Sequence, residues 1–461
     1  MTTAWTASET VEYRLVLIHP VTRTLLAFGS AGHYCLPRVK IQQWTRPAQQ
    51  LRKVIENRWG LDVIILDIAM TGDCRTPCAV AEVATPKSMP DSTDVRIGQI
   101  LGTELSETER TDIESLLMDK ANRPFARIGW IDEARAWIES VTGQSFSSRR
   151  DIEQLNAGYG FALLRFRSDD GWDCWLKATG EPNIHELSIT SFLSKACGRY
   201  LPEFIAARPE WNAWLTSGEG VGITEFPPDP RALSRLLEGA VSSMAELQMK
   251  TAGRKLDLLE AGAFDQELSA LVTRSEEFFN YLEEAMSRQT SKKVARLGKR
   301  RIDQLREIFE NICLRVDALG IPSSVLHGDL NPANILVAPG HCRFIDWCET
   351  YVGNPLITLE HLLLLNHADD PADKAFIDRV LKDKYRTVLS GISAPEAIDA
   401  GVPYMPFLGA FSALYGRGDW LATPLRDDPR RQAYARTLAR HMDRAASDPV
   451  LLDSLQVTAT R

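Results

Sequence analysis

Twice along this chain, short apolar runs bounded by turn residues give way to sequence whose apolar positions recur every three or four residues. That order of strands then helices, repeated, limits the architecture more than any other feature. A chain of 461 residues exceeds one ordinary core, so two or three domains of roughly 100 to 200 residues each are expected. Hydrophobic residues at 44% and charged residues at 25% supply a globular core for each of them.

In the first round, residues 12–18 and 24–28 read as strands about the turn His19-Pro20-Val21-Thr22-Arg23. Pro47 to Arg58 carries Leu51, Val54 and Ile55 at helical spacing and stops at Gly60, a glycine cap. Leu61 to Met70 and Cys78 to Ala84 supply two more strands around Thr71-Gly72-Asp73. Ser106 followed by Glu109 is a capping box opening a helix to about Ala121, and Trp130 to Val141 is a second, amphipathic helix. Phe125, Trp130 and Trp137 are expected to bury against a neighbouring domain and make these helices a fixed arm.

The second round opens with strands from Ala162 to Arg167 and from Asp173 to Ala178 around Ser168-Asp169-Asp170-Gly171. From Pro230 to Leu319 the periodicity is helical, with breaks near Thr251 and Thr290. A net charge of -8 argues against a nucleic-acid partner and suits cationic small molecules. The first residues carry neither a basic leader nor an apolar core segment, and no apolar run is long enough for a membrane span, so a cytoplasmic location is expected. The eight cysteines show no Cys-x-x-Cys pair and no zinc-ligand spacing, and read as reduced core thiols.

The chemistry concentrates in Val325-Leu326-His327-Gly328-Asp329-Leu330-Asn331-Pro332-Ala333-Asn334-Ile335-Leu336-Val337 and in Arg343-Phe344-Ile345-Asp346-Trp347 just downstream. Phosphoryl transfer needs a carboxylate beside the attacking hydroxyl and oxygen ligands that hold Mg against the phosphates, because negative charge spreads over the transferred group. Asp329, Asn334 and Asp346 meet those needs in kinase-like order and spacing.

These residues resemble the aminoglycoside phosphotransferase and choline kinase family, whose catalytic loop commonly reads His-Gly-Asp-x-x-x-x-Asn and whose metal aspartate precedes Trp or Phe. The resemblance covers roughly residues 150–450. It implies that Asp329 is the catalytic base or acceptor-orienting residue, that Asn334 and Asp346 ligate Mg, and that His327 braces the loop. It further implies Lys177 as the nucleotide lysine, Glu186 as its orienting partner, and Trp214-Leu215-Thr216 as the hinge whose backbone groups contact the base. Gly353-Asn354-Pro355 resembles the segment leading into the next helix. Gly158-Tyr159-Gly160 falls short of a full glycine-rich loop and is assigned no firm role.

The first domain resembles the Nudix fold through Leu36-Pro37 and the helix ending at Gly60-Leu61. Nudix hydrolases need several carboxylates on that helix to hold divalent cations. Here Asn57 and Arg58 stand where paired glutamates are needed, Arg38-Val39 replaces glycines, and Glu56 alone remains, so no pyrophosphatase activity is expected.

The expected fold is therefore α+β: a degenerate Nudix-like α/β domain at 1–105, a helical connector at 106–148, and a protein-kinase-like bilobal domain. Its small lobe, with an antiparallel sheet, spans 149–225 and its helical large lobe spans 226–461. The expected activity is Mg-dependent transfer of the γ-phosphate of ATP or GTP to a hydroxyl or amine of a small-molecule acceptor. The alternative is a pseudokinase that binds nucleotide and acts through a partner protein. Glu349, Asp369 and Asp370 are candidates to attract a cationic acceptor, and oligomeric state is left open.

Overall fold

The computed structural model describes residues 10–456 apart from 31, 44–45, 70–75, 85–88, 121–123, 148, 159, 227–228, 366–369 and 423–424. The expectations on Thr71-Gly72-Asp73, Ala121, Tyr159 and Asp369 lie outside the described residues. The chain divides into two compact units: Met1–Leu187 with Phe204–Gly218, and Ser188–Glu203 with Glu219–Arg461.

The first unit begins with β1 (Thr10–Ile18), β2 (Leu25–Ser30), β3 (His33–Cys35), β4 (Arg38–Gln42), α1 (Pro47–Trp59), β5 (Val63–Ala69), β6 (Cys78–Val83) and β7 (Ser92–Val95). Their seven-stranded sheet runs β3-β2-β1-β6-β5, with β4 also on β1, β7 on β2, and β1 parallel to β6. Successive side chains of a strand point to opposite faces. On β1, Leu15 and Leu17 accordingly pack in the core with Ala48, Leu51 and Ile55 of α1. Val16 and Ile18 join the opposite core, with Ile113 of α2 (Glu107–Leu117) and Ile131 and Ile138 of α3 (Trp130–Thr142). A helix layer thus covers each face.

The expected caps are present. Gly60 ends α1 at φ 67° and donates to Glu56 O, and Ser106 and Glu109 exchange the two bonds of a capping box at the start of α2. Inside the same unit lie β8 (Ile152–Asn156), β9 (Phe161–Arg167), β10 (Asp173–Thr179), β11 (Phe204–Arg208) and β12 (Ala213–Ser217), in the antiparallel order β11-β12-β10-β9-β8. Trp130 and Trp137 meet Trp211 edge-on at 6.4 and 6.5 Å, and Phe125 shares their core. The aromatic arm packs on the five-stranded sheet as well as on the seven-stranded one. Helix α4 (Glu186–Cys197) starts in this unit and passes into the second.

The second unit contains β13 (Val221–Gly222), α5 (Pro230–Thr251), α6 (Lys255–Glu260), β14 (Phe264–Gln266), α7 (Leu268–Thr273), α8 (Ser275–Ser287) and α9 (Lys299–Asp317). Strands β15 (Ser324–His327), β16 (Ile335–Ala338), β17 (His341–Phe344) and β18 (Thr350–Gly353) follow, then α10 (Leu356–Leu365), α11 (Pro371–Leu389), α12 (Pro395–Gly401), α13 (Met405–Tyr415), α14 (Pro429–Ala445) and α15 (Pro449–Gln456). Within the largely helical run expected at 230–319 lies one short strand that the periodicity does not mark, β14, which pairs in parallel with β18 beside β15. At three residues it is too short to show a period of its own. The class is α+β, as expected. No helix of the described residues is long and apolar enough to cross a membrane.

Candidate active site

The catalytic-loop candidates stand at the end of β15, a strand whose four residues are all buried. The chain leaves it at Gly328, whose N–H donates to Glu349 O at 2.7 Å. A Cβ on Gly328 would lie 2.4 Å from Cε2 of Tyr351, so no larger residue fits without displacing that ring. Asn331 then caps a short 3-10 turn, Pro332–Asn334, by accepting from Ala333 N at 2.9 Å, with proline at the first helical position.

This turn points two carboxamides at Asp329. Asn331 Nδ2 donates to Asp329 Oδ1 at 2.9 Å, and Asn334 Nδ2 donates to Asp329 Oδ2 at 3.0 Å and to its carbonyl at 2.9 Å. Each carboxylate oxygen keeps a lone pair for an incoming hydroxyl. Because Asn334 spends its N–H groups on Asp329, its Oδ1 is the face left to ligate a cation.

The β16–β17 hairpin brings Asp346 back to the loop. Ile335 pairs with Phe344, and Ile345 N donates to Asn334 O at 3.1 Å. Nε2 of His327 lies 3.0 Å from Ile345 O, His327 N donates to Thr358 Oγ1 at 3.2 Å, and the imidazole packs on Trp347 at 4.6 Å between centroids. Asp346 has φ 68°, in the left-handed region that a non-glycine residue occupies at some cost.

Glu349 is a third carboxyl of the site. Burial pushes its pKa up and the charges of Asp329 and Asp346 add to that, while the Tyr351 hydroxyl, donating at 2.9 Å, and Arg417 pull it down. Arg417 also donates to Cys348 O at 3.0 Å. Asn331 could have been found from its place before proline in the turn. Arg417 carries no signal near the motif.

In the first unit, Lys177 on β10 is ion-paired with the buried Glu186 at the start of α4, and its ammonium lies 5.2 Å from the Phe161 ring and 5.7 Å from the Trp214 ring. The expected pair is therefore together. Trp214 and Leu215 sit inside β12, between β10 and β11. Gly218 N donates to Asp173 O at 3.1 Å. On α1, Glu56, Asn57 and Arg58 are exposed, and Arg58 donates to Arg38 O at 2.9 Å.

Asn334 and Asp346 carry hard oxygen donors of the kind a small divalent cation such as Mg takes. Residues 221–390 match the phosphotransferase enzyme family. The matched segment contains Asp329, Asn334 and Asp346. Similar solved structures include a choline/ethanolamine kinase family protein from Mesorhizobium loti, 17% identical over 71% of this chain and 99% of that one, with a TM-score of 0.46. Choline kinase from Cryptosporidium parvum Iowa II is 12% identical over 72% and 99%, at 0.48. A macrolide 2'-phosphotransferase from Brachybacterium faecium is 16% identical over 67% and 98%, at 0.42. No curated protein sequence matches the chain.

Proposed function

We propose that the chain is a Mg-dependent phosphotransferase that moves the γ-phosphoryl group of ATP or GTP to a hydroxyl or amine of a small, cationic acceptor. The observation that carries this reading is Asp329 held through both carboxylate oxygens by Asn331 and Asn334. Two amides fix the carboxylate's direction while leaving it acceptor capacity, which is what orienting an attacking hydroxyl requires.

In the proposed reaction the acceptor oxygen attacks the γ-phosphorus in line, the bond to the β-bridging oxygen breaks, and the hydroxyl proton passes to the Asp329 carboxylate. Lys177, oriented by Glu186, binds phosphate oxygens. Asn334 and Asp346 hold Mg, which when bound neutralises phosphate charge. His327 keeps the peptide before Asp346 in place. The carboxyls of Asp329, Asp346 and Glu349 favour an acceptor that carries a positive charge. The proposal for the first domain remains a degenerate Nudix-like frame, carried by the sequence around Leu36-Pro37 and Gly60-Leu61, in which Asn57 and Arg58 stand where paired metal-binding glutamates would be needed.

Thermal unfolding of the full chain with ATP or GTP, with and without Mg, tests the reading before any acceptor is known. Nucleotide at a hundred times its dissociation constant stabilises a folded chain by about 2.7 kcal/mol. A Mg-dependent shift that Asp346→Ala loses and Asp329→Ala keeps is the expected outcome. No shift with either nucleotide sinks it.

A further inference from the structure

Strand β14 joins two parts of the second unit that lie far apart in the sequence. Its backbone pairs in parallel with β18, Phe264 against Tyr351 and Gln266 against Gly353. Residues two apart on a strand share a face, and Phe264 and Gln266 both meet the end of α13. Gln266 Nε2 donates to Ser412 O at 3.2 Å and to Gly416 O at 2.8 Å, while Ser412 Oγ donates to Gln266 Oε1. Gln266 and Ser412 are fully buried. The carboxamide thus supplies a donor to the Gly416 carbonyl, which the end of a helix leaves without one.

That carbonyl belongs to the peptide leading into Arg417. Helix α13 stops at Gly416, φ 51°, and the Arg417 guanidinium lies 5.6 Å from the Phe264 ring centroid and donates to Cys348 O at 3.0 Å. Arg274 holds the far side of this turn by donating to Gly418 O at 2.9 Å. Cys348 stands between Asp346 and Glu349. The peptide before Asp346 is held by His327 at Ile345 O; after it, Thr350 donates to Trp347 O and Arg417 to Cys348 O. Of these three side chains, Arg417 is the one that comes from beyond residues 221–390, the segment matched by the family.

We propose that Gln266 and Phe264 are positioning residues that set Arg417 on Cys348 O, so that the end of α13 fixes the far side of the turn that carries Asp346. The proposal rests on the reading of Asp346 as a Mg ligand. Asp346 is at φ 68°, a conformation that persists where the surrounding structure holds the chain on both sides. A turn left loose on one side would have to be ordered when the cation binds, and that ordering subtracts from affinity. A guanidinium on an unrestrained chain has many rotamers. With its own peptide held by Gln266 and an aromatic ring beside it, Arg417 keeps few of them, and the ordering is done in advance.

The test uses the full chain with Gln266→Leu, Phe264→Leu, Arg417→Met, Asp346→Ala, and Gln266→Leu combined with Arg417→Met. Titration calorimetry without acceptor gives the dissociation constants of ATP and GTP in Mg and in EDTA, and their ratio is the gain due to the metal. Amide hydrogen exchange in residues 345–350 of the chain without nucleotide or metal is the second readout. Gln266→Leu and Arg417→Met are each expected to cut the gain roughly three- to tenfold and to speed that exchange while α9 exchanges as before. The combined variant should lose no more than Arg417→Met alone, because the two residues act in series. Phe264→Leu should show a smaller loss in the same direction, and it decides the matter if Gln266→Leu fails to fold. An unchanged gain in the folded variants of β14, with Asp346→Ala impaired, overturns this proposal alone, and so do losses that add in the combined variant. An unchanged gain in Asp346→Ala, or no gain in the wild type, overturns the metal-ligand reading, and the proposal with it.

Discussion

Nε2 of His327 lies 3.0 Å from the carbonyl oxygen of Ile345, the residue that precedes Asp346. The imidazole sits on the buried strand β15, so the end of that strand and the metal-ligand candidate are fixed to each other through one side chain. His327→Leu should therefore leave the fold but release the Asp346 peptide. The cost is about 1–3 kcal/mol of stability from the unpaired buried carbonyl, read as a lower denaturation midpoint. Mg-dependent stabilisation by nucleotide should fall with it. A variant with normal Mg dependence would show that His327 is only a packing residue.

Much of this arrangement is legible in the amino-acid sequence. His327, Asp329, Asn334 and Asp346 lie close along the chain, and the hairpin that brings the last of them back is short. The N-terminal elements are readable for a different reason: α1 carries its own glycine stop, and α2 its own capping box. What stays hidden depends on long-range pairing. Arg417 meets Cys348 across 69 residues, and Gln154 meets Ile65 across 89, with no local pattern to mark either.

Arg417 leads to a second prediction. Its guanidinium donates to Cys348 O and pulls down the pKa of Glu349, which burial otherwise raises. Arg417→Met loses the bond, at a cost of about 1–2 kcal/mol, and leaves Glu349 protonated to higher pH. Nucleotide-dependent phosphotransfer should then fall most at acidic pH, with the lower limb of its pH profile moved upward. An unchanged pH profile would remove Arg417 from the site's electrostatics.

Two adjacent residues of α10 give a stability prediction with opposed signs. Burial raises the pKa of Glu360 to about 7 and lowers that of His361 to about 4. For Glu360 the folded state holds the proton more tightly, so its contribution is full below the usual carboxylate range and is lost as pH rises through about 7. For His361 the unfolded state holds the proton more tightly, so its contribution is full above the usual imidazole value and is lost as pH falls through about 4. The two oppose each other between. Glu360→Gln should make the chain more stable at pH 8, on the order of 2–3 kcal/mol, and leave the acid-side loss due to His361 exposed. Denaturation midpoints at pH 5 and 8 for both proteins check this, and parallel curves would count against it.

Asp346 carries the last prediction, because its backbone and side chain make opposite demands. At φ 68° it occupies a region that costs a residue with a Cβ roughly 1 kcal/mol and costs glycine nothing comparable. Aspartate and asparagine tolerate it better than branched residues do. Asp346→Gly should therefore keep or slightly raise the melting temperature of the nucleotide-free chain while abolishing the Mg-dependent shift. Asp346→Asn should hold stability and weaken Mg dependence, and Asp346→Val should lose both. A melting temperature that fell in the glycine variant as far as in the valine variant would mean that the carboxylate stabilises the fold. A rise, with Mg response gone, would mean that the strain is retained for the sake of the ligand.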